Sequence, residues 1–435
     1  MATGFSTLVF PLVIMQILVL VFFCETSLGI SIPSNYTKFR QVSSLRLARI
    51  HRHLDNINKP PLFTIQSPDG DIIDCVRKRK QPAMDHPLLK NHKIQRVPPK
   101  MPKSLKTAST NSTRSVDGFK GVWQMWHEKG EVCPKGTVPI RRSRVDDVLR
   151  AKSLYDFGKK RTRSLPLAGR RRPEIPPDFV SANGHEHAIA YTTSGGDVYG
   201  AKATINVWDP TVEVESEFSL SQIWVLSGSF DGTDLNSIEA GWQVSPEMYG
   251  DSRPRLFTYW TTDAYQSTGC YNLLCSGFIQ TNSRIAIGAA ISPVSSDGGN
   301  QYDITILLWK DPKLGNWWMG FGDGTLVGYW PNELFTHLAD RATMVEWGGE
   351  VVNSRPNNEH TSTQMGSGHF AEDGFGRASY FRNLEIVDSD NSLGSAQDIT
   401  TLAENTNCYN ILGSYNNEWG THFYYGGPGK NPLCP

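Results

Sequence analysis

The sequence predicts a mainly β protein. Its C-terminal part is expected to be an antiparallel β-sandwich of two packed sheets, preceded by a smaller α+β domain. After about residue 181, Lys and Arg become scarce while Trp, Tyr, Gly and β-branched residues become frequent. Short alternating runs follow, including "KATINVW", "SQIWVLSG", "RLFTYWT" and "DITILLWK", separated by turn sequences such as "SGGD" and "SSDGGN". Many short strands with regular turn signals are typical of such a sandwich.

The charge of the chain reverses near the same point. Residues 31–180 contain 32 Lys and Arg against 13 Asp and Glu, whereas residues 181–435 contain 11 against 29. The formal net charge of zero therefore conceals +19 followed by −18. Two oppositely charged parts of one chain are expected to attract each other. Binding to nucleic acid or to a membrane surface is the alternative use of a basic segment, but the N-terminus favours a secreted protein without a nucleic-acid partner.

The basic part contains its own predicted elements. "HLDNINKPPLFTIQSPDGDIIDCV" (53–76) predicts a helix end followed by a strand–turn–strand unit. "RSRVDDVLRAKSLYDF" (142–157) has the apolar spacing of a helix. The basic, proline-containing segment 158–180 is predicted to be an exposed, cleavable linker between a domain at 30–157 and the sandwich at 181–435. Inside the sandwich, "NELFTHLADRATMV" (332–345) predicts one helix with Asn332 as its N-cap.

The first residues predict secretion. An apolar stretch from Leu8 to Phe23 precedes the small residues Ser27 and Gly29. This pattern indicates a signal peptide over residues 1–29, although an uncleaved anchor is the alternative because the stretch approaches the length that spans a bilayer. We expect a secreted protein, with the cell wall and the vacuole as alternative destinations, and no membrane contact after cleavage.

Cysteine usage agrees with an oxidising compartment. Six cysteines remain after the signal peptide, and the domain split favours three disulfides, although the count leaves other pairings open. The favoured pairs are Cys75–Cys133, Cys270–Cys275 and Cys408–Cys434. "NYT" at Asn35 and "NST" at Asn111 are N-glycosylation sequons.

One candidate catalytic residue is Glu239, in the strand-like run "NSIEAGWQVSP". A strand places alternate side chains on opposite faces, so Glu239 shares a face with Gly241 and Gln243 and not with the apolar residues. It is either a solvent-facing residue or part of a cleft. A carboxylate in the middle of an apolar strand is costly unless it is paired or faces a cleft.

A second candidate is Glu350, which ends "VEWGGE" directly before two valines. The two glycines before it let a backbone or a ligand approach closely. Glu346 competes with Glu350 because it has the same strand parity, and Glu372 is interpreted as a loop residue.

Two alternative sites are open at this point. His185 and His187 form an H-x-H pair that could bind zinc together with His360 or His369, but no closed ligand set is visible and no metal or cofactor is predicted. The aromatic residues could instead form a sugar-stacking platform on a lectin-like sandwich, or simply fill its core. The residues of that platform would be Trp317, Trp318, Trp330, Trp347, Tyr424 and Tyr425.

A series of longer motifs carries a family resemblance. Besides residues 53–76 and "CPKGTVPIRR" (133–142), it includes "NSIEAGWQVSP", "RLFTYWTTDAYQSTGCYNLLCSGFIQ", "VEWGGEVVNS" and "HTSTQMGSGHF". In this order they resemble the plant neprosin family, with its activation-peptide domain and its C-terminal catalytic domain, over essentially the whole chain after the signal peptide.

The resemblance implies a secreted glutamic endopeptidase that is made as a zymogen and works in acid, and whose type member cleaves after proline. It assigns the catalytic glutamates to Glu239 and Glu350 through the motifs "EAGW" and "WGGE", and two disulfides to Cys270–Cys275 and Cys408–Cys434. Two carboxyls in one cleft share a proton, so one would act as general base and the other as general acid. Which glutamate takes which role stays open.

The expected partners are a peptide or protein substrate and the chain's own pro-domain as an intramolecular inhibitor, in a monomer. Acid would weaken the attraction between the two charged parts and expose the linker to cleavage. The alternative function is a catalytically silent sandwich that binds carbohydrate or cell wall.

Overall fold

The computed structural model describes residues 42–95, 100–104, 123–160, 184–192, 196–229, 233–322 and 324–435. The predicted signal peptide, the sequons at Asn35 and Asn111, and most of the predicted linker lie outside these ranges. The chain divides into two compact units, Met1–Arg49 and Ile50–Pro435. None of the helices in the described ranges has the length and apolar character needed to span a bilayer.

The N-terminal region contains two helices and a small sheet. Its elements are α1 (Ser44–Ile57), β1 (Pro61–Gln66), β2 (Ile72–Arg77), β3 (Lys103–Ser104), β4 (Thr137–Arg141) and α2 (Val145–Arg150). Strands β1, β2 and β4 form an antiparallel sheet, whose buried residues Ile65 and Ile73 pack with Trp126 and with Ala286 and Ala289 of the C-terminal part. The small sheet therefore shares an apolar core with the rest of the second unit.

The C-terminal part consists almost entirely of strands. They are β5 (His185–Thr192), β6 (Gly200–Asn206), β7 (Ser219–Ser227), β8 (Asn236–Val244), β9 (Arg255–Thr261), β10 (Ile279–Gln280), β11 (Asp303–Lys310), β12 (Trp317–Phe321), β13 (Leu326–Trp330), β14 (Met344–Val352), β15 (Ser379–Val387), β16 (Ser392–Ser395), β17 (Ile399–Ala403), β18 (Asn410–Asn416) and β19 (Gly420–Gly426), with the short helix α3 (Pro246–Tyr249) before β9. Short 3₁₀ turns lie at Lys78–Lys80, Pro82–Asp85, Pro87–Leu89, Met125–His127, Asn332–Leu334, Pro356–Asn358 and Ala371–Asp373.

These strands form two sheets. Within the described ranges, the smaller sheet has the order β17–β5–β14–β7–β8–β9, and every neighbouring pair is antiparallel. The larger sheet has the order β10–β13–β12–β11–β6–β15–β16–β3, with β19 paired to β15 and β18 paired to β19. The predicted mainly β fold with an antiparallel sandwich and a smaller α+β region is confirmed.

Strand alternation explains why the two sheets pack together. On β8, Ile238, Ala240 and Trp242 are fully buried in the main core, which also contains Ala203 and Ile205 of the larger sheet. The Trp242 indole donates a hydrogen bond across the core to the Asn206 carbonyl, at 2.9 Å. Removing this apolar surface from water is the main driving force for packing the sheets. The opposite face of the smaller sheet is left to carry the candidate site.

The helix predicted over residues 332–345 is wrong. Only Asn332–Leu334 forms a 3₁₀ turn, and the chain enters β14 at Met344. The Asn332 side chain accepts a hydrogen bond from Lys310 Nζ at 2.8 Å, and Ala342 forms a β-bridge with Val198. These long-range contacts outweigh the local helical pattern. The helix predicted over residues 142–157 is also shorter than expected, because α2 ends at Arg150.

Three disulfides connect the six cysteines of the described residues. They are Cys75–Cys133 in the N-terminal region, and Cys270–Cys275 and Cys408–Cys434 in the sandwich. These are the pairs that the domain split favours. The second closes the loop after β9, and the third ties the C-terminus to the residues before β18.

A buried ion-pair cluster joins the N-terminal region to the sandwich. In it, the signs of the paired charges are the reverse of the net charges of the two parts. Arg255, fully buried at the start of β9, donates to Asp71 in the turn before β2 and to Asp251. Arg141 donates to the other oxygen of Asp71 at 2.8 Å. In the contact between the two parts, the acidic sandwich supplies the cation, Arg255, and the basic N-terminal region supplies the anion, Asp71. The charge asymmetry of the sequence therefore does not describe this contact.

We expect Asp71→Asn to lower the free energy of unfolding by about 3 kcal/mol, because it removes the anion shared by the buried Arg255 and the partly buried Arg141. Asp85→Asn is the matched control, since Asp85 is largely exposed and its pair with Lys59 should contribute less than about 1 kcal/mol. Chemical denaturation of both variants under oxidising conditions measures the difference. Equal effects would contradict the assignment of Asp71 as a structural anion.

Candidate active site

Glu239 and Glu350 lie on the same face of the smaller sheet, two strands apart. Glu239 is on β8 and Glu350 on β14, with β7 between them. Gln222 of β7 is aligned with Gly241 on one side and with Gly348 on the other. Because side chains alternate along strands, Glu239, Gln222 and Glu350 form a diagonal row on one face. Both glutamates are buried, with 0% and 1% exposure.

Glycine is required at the two positions beside Gln222. A Cβ at Gly241 would lie 2.0 Å from the Ser221 carbonyl oxygen, and one at Gly348 would lie 2.3 Å from the Ala188 carbonyl oxygen. Both contacts are with backbone, which cannot move aside. Strand packing therefore keeps these positions without side chains, and Gln222 is the side chain that remains between the two glutamates in this row.

Lys160 of the N-terminal region bridges the two glutamates. Its Nζ lies 3.3 Å from Glu239 Oε2 and 3.0 Å from Glu350 Oε2. Burial alone would lower the pKa of Lys160, but Glu239 and Glu350 outweigh it and raise that pKa well above its ordinary value. Burial would likewise raise the pKa of Glu350, yet Lys160, His185 and His187 hold it well below its usual range. Both shifts favour an ammonium ion paired with an ionised Glu350.

Glu239 is otherwise surrounded by uncharged donors. Its Oε1 accepts hydrogen bonds from Ser237 Oγ at 2.9 Å and from the Tyr265 hydroxyl at 2.8 Å, while its Oε2 accepts one from Gln222 Nε2 at 3.1 Å. Tyr265 has a φ of +63°, a conformation that is uncommon for a residue with a side chain. Asp263, bonded to Thr261, Ser267 and Thr268, closes the loop that holds Tyr265 in this position.

Glu350 is surrounded by histidines. Its Oε1 contacts His185 Nδ1 in a hydrogen bond and lies 3.9 Å from His187 Nε2. His187 Nδ1 lies 2.9 Å from Glu404 Oε1. Burial would lower the pKa of His187, but Glu404 and then Glu350 outweigh it and raise that pKa to about 9. The two glutamates therefore have different environments: neutral donors around Glu239 and basic groups around Glu350.

The backbone of residues 158–160 is hydrogen-bonded to residues of the sandwich. The Tyr271 N–H donates to the Gly158 carbonyl at 2.8 Å, and the Lys160 N–H donates to the Tyr259 hydroxyl at 3.3 Å. Lys159 Nζ donates to the Gly269 carbonyl at 2.6 Å. A cavity of about 160 Å³ continues beside Lys160, lined among others by His185, Phe218, Met248 and Tyr271. Residues 158–160 thus lie in the cleft as a bound peptide segment would.

Two family models match the chain in the order that the sequence analysis expects. The neprosin activation peptide matches residues 64–191 and the neprosin domain matches residues 215–428. The chain belongs to the neprosin family. In this neprosin-family chain, Lys160 falls within the activation-peptide match, whereas Glu239 and Glu350 fall within the neprosin domain.

Two solved peptidases and one solved agglutinin show a weak structural likeness to this chain. Scytalido-glutamic peptidase, with a peptide-based transition-state analog, is 14% identical at a TM-score of 0.28, covering 56% of this chain and 97% of that one. SCP-B, a member of the Eqolisin family of peptidases, bound to the tripeptide Ala-Ile-His, is 14% identical at 0.29, covering 56% and 96%. CG-16, a homodimeric agglutinin from chicken liver, is 12% identical at 0.20, covering 38% and 96%. At these identities and TM-scores the likenesses carry no argument about function.

Of the two interpretations of the aromatic residues, the structure supports core filling and not a sugar-stacking platform. Five of its six residues have at most 1% exposure and fill the core, and only Tyr424 is half-buried. The five are Trp317, Trp318, Trp330, Trp347 and Tyr425.

The zinc alternative is not supported either. His360 binds Glu186 and His369 binds Asp373, and neither is grouped with His185 and His187 as metal ligands. Within the described ranges, the one cluster of three potential ligands is His360 with Cys408 and Cys434, and these two cysteines form a disulfide.

The competing carboxylates have other positions. The strand register aligns Glu239 with Trp224 and Trp224 with Glu346, so the indole position separates Glu346 from Glu239. Glu372 lies in an exposed 3₁₀ turn and accepts two hydrogen bonds from Asn410 Nδ2. It is a loop residue, in keeping with the sequence interpretation.

Several groups of the site carry no signal in the sequence. The sequence places Lys160 in a predicted linker, and Gln222, Ser237, Tyr265 and Glu404 belong to no motif that marks them. Their roles follow from register and loop geometry, which a single sequence does not reveal. The H-x-H pattern places His185 and His187 on one strand face, but their carboxylate partners lie more than a hundred residues away in the chain.

Proposed function

We propose that this chain is the zymogen of a secreted, acid-active glutamic endopeptidase in which Glu239 and Glu350 activate a water molecule. The observation that carries the proposal is the ammonium group of Lys160, held between both carboxylates at hydrogen-bond distance. An ammonium and a water molecule are similar in size, and either can donate to both carboxylates at once. A water molecule at this position would contact the two groups needed for general acid–base hydrolysis.

In the proposed mechanism Glu350 is the general base. It removes a proton from the water as the water oxygen attacks the scissile carbonyl carbon. Protonated Glu239 donates its proton to the carbonyl oxygen. The proton held by Glu350 then passes to the amine nitrogen as the C–N bond breaks, and the hydroxyl formed from the carbonyl returns its proton to Glu239. The partners of Glu239 suit this role, since the hydroxyls of Ser237 and Tyr265 can accept as well as donate a hydrogen bond. Two carboxyls sharing one proton are fully competent only in acid.

The N-terminal region would act as an intramolecular inhibitor. Gly158, Lys159 and Lys160 occupy the cleft through main-chain and side-chain bonds, and Lys160 takes the place of the water. Cleavage in the segment that follows, up to residue 180, would separate this region from the sandwich. The product would be a secreted monomeric peptidase, with no cofactor required by the proposed chemistry.

Preference for proline is the most specific part of the proposal. It comes from the family resemblance, and the aromatic residues Tyr259, Tyr265 and Tyr271 near the glutamates are suited to pack against a proline ring. The position that a bound substrate takes relative to these rings decides whether this chain prefers proline.

A peptide library tests the function directly. The purified chain is incubated at pH 4 and at pH 7 with peptides that contain proline at varied positions, and products are identified by mass spectrometry. We expect cleavage at proline by the acid-matured wild type, and cleavage slower by about 100-fold or more by Glu239→Gln. Cleavage at other residues would refute only the proline preference. A correctly folded, processed wild type that cleaves nothing would refute the peptidase and favour the carbohydrate-binding alternative.

A further inference from the structure

The pair formed by His187 and Glu404 has no role in the mechanism given above. His187 is on β5, directly across the strand pair from Glu350, so their side chains are nearest neighbours on one face. Glu404 follows β17, on the outer side of β5. A buried charged pair this close to a catalytic carboxylate can change its protonation without touching the substrate.

Glu404 fixes His187 through two contacts. One carboxylate oxygen accepts from the His187 backbone N–H, and the other lies 2.9 Å from His187 Nδ1. With Nδ1 held by a carboxylate, the other ring nitrogen, Nε2, faces Glu350 Oε1 at 3.9 Å. A carboxylate that orients a histidine toward a second group is a common way to set the tautomer and charge of the ring.

We propose that Glu404 and His187 are positioning residues that keep Glu350 ionised in the mature enzyme, after Lys160 has left. The inference rests on the proposed function. Lys160, the strongest opposite charge on Glu350 in the pro-form, belongs to the segment that must leave. His187 belongs to the sandwich and stays. In the pro-form, the charge of Lys160 opposes protonation of the His187 ring. When Lys160 leaves, the protonated ring is therefore favoured further.

Other titratable groups of the described residues also face Glu350. Glu239 faces Glu350 from β8, Tyr271 faces it from the loop after β9, and His185 contacts it from β5 itself. His185 binds the same oxygen of Glu350 directly. Within the described residues, Glu404 is the carboxylate bonded to His187, so Glu404 acts on Glu350 through that ring.

The pH profile of kcat/KM tests the proposal in the matured enzyme, with one proline-containing peptide. The acidic limb reports protonation of the general base in the free enzyme. Because removing a nearby positive charge raises the pKa of a carboxyl, His187→Gln should move this limb to higher pH by about one unit or more. Glu404→Gln should move it in the same direction by less. In the double variant the shift should equal that of His187→Gln alone, since Glu404 acts through His187.

His369→Gln and Asp373→Asn are matched controls, because this pair has the same contact, Nδ1 to carboxylate at 2.8 Å, in an exposed turn. Their acidic limbs should coincide with the wild type. A purely structural role of His187 would lower kcat/KM equally at all pH values, and an unshifted limb in Glu404→Gln and His187→Gln would overturn the proposal. If His187→Gln fails to fold, the isosteric Glu404→Gln decides alone. An inactive wild type, or an active Glu350→Gln, would instead refute the proposed function.

Discussion

Replacing Lys160 with methionine is expected to destabilise the pro-form by about 3 kcal/mol, because it leaves two buried carboxyls without their shared cation. If the segment must leave the cleft before it is cut, the released state becomes roughly 100-fold more populated, since each 1.4 kcal/mol corresponds to a factor of ten. Maturation should accelerate in proportion. The loss of the pro-form band on a gel over time measures it, and denaturation at pH 7, outside the acid range proposed for activity, measures stability without proteolysis.

The neighbouring lysine is the control. Lys159→Met removes a side chain whose Nζ binds two carbonyl oxygens of the loop after β9, those of Ser267 and Gly269, and neither catalytic glutamate. We expect a loss of about 1 kcal/mol or less and a small change in maturation rate. Equal behaviour of the two variants would show that the ammonium group of Lys160 does not hold the segment in the cleft.

The pH dependence of the pro-form follows from the sign of the shift in Glu350. Its pKa is lowered in the pro-form, so the pair with Lys160 stabilises that form at any pH above the ordinary carboxyl pKa. This stabilisation is lost only as the pH falls towards the lowered value. Mild acid therefore does not release Lys160 by protonating Glu350. The hypothesis that acid weakens a general attraction between two charged halves needs other carboxyls, and the Arg255–Asp71 contact has the opposite polarity to that attraction.

The sandwich was predictable because its core repeats a simple pattern. In β8, apolar residues at 238, 240 and 242 alternate with polar or small ones, and this alternation fixes which face is buried. The segment 332–345 has an equally clear helical pattern. However, Asn332 is hydrogen-bonded to Lys310, and Ala342 forms a β-bridge with Val198. Local pattern therefore predicts elements well where it agrees with the sheet pairing, and fails where long-range hydrogen bonds compete.

The candidate site was predictable only in part. Strand parity indicates that Glu239 faces away from the core, but it cannot indicate what covers that face. In the structure, Lys160 and the loop that carries Tyr265 cover it, which is why Glu239 is fully buried and not solvent-facing. Parity also cannot separate Glu350 from Glu346. The strand register does, because it places Trp224 between Glu239 and Glu346.

Glu350→Gln is expected to reduce kcat/KM of the matured enzyme by about 10⁴-fold, and Glu239→Gln by about 10²- to 10³-fold. A glutamine cannot remove a proton from water, so the loss of Glu350 removes the base entirely. A glutamine at 239 can still donate an N–H to the carbonyl oxygen, so part of the stabilisation remains. The alkaline limb of the pH profile, which reports the protonated acid, should disappear in Glu239→Gln while the acidic limb stays.

Glu346→Gln is the matched control for both, since it is the same change on the same face of β14. Its kcat/KM should remain within a few-fold of the wild type, and all three variants should retain cooperative unfolding of the pro-form. The roles of general acid and general base would be reversed by two results together. Glu239→Gln would lose more kcat/KM than Glu350→Gln, and the alkaline limb would survive in Glu239→Gln but disappear in Glu350→Gln. A loss in Glu346→Gln as large as in Glu350→Gln would mean that the base had been assigned to the wrong residue of the strand.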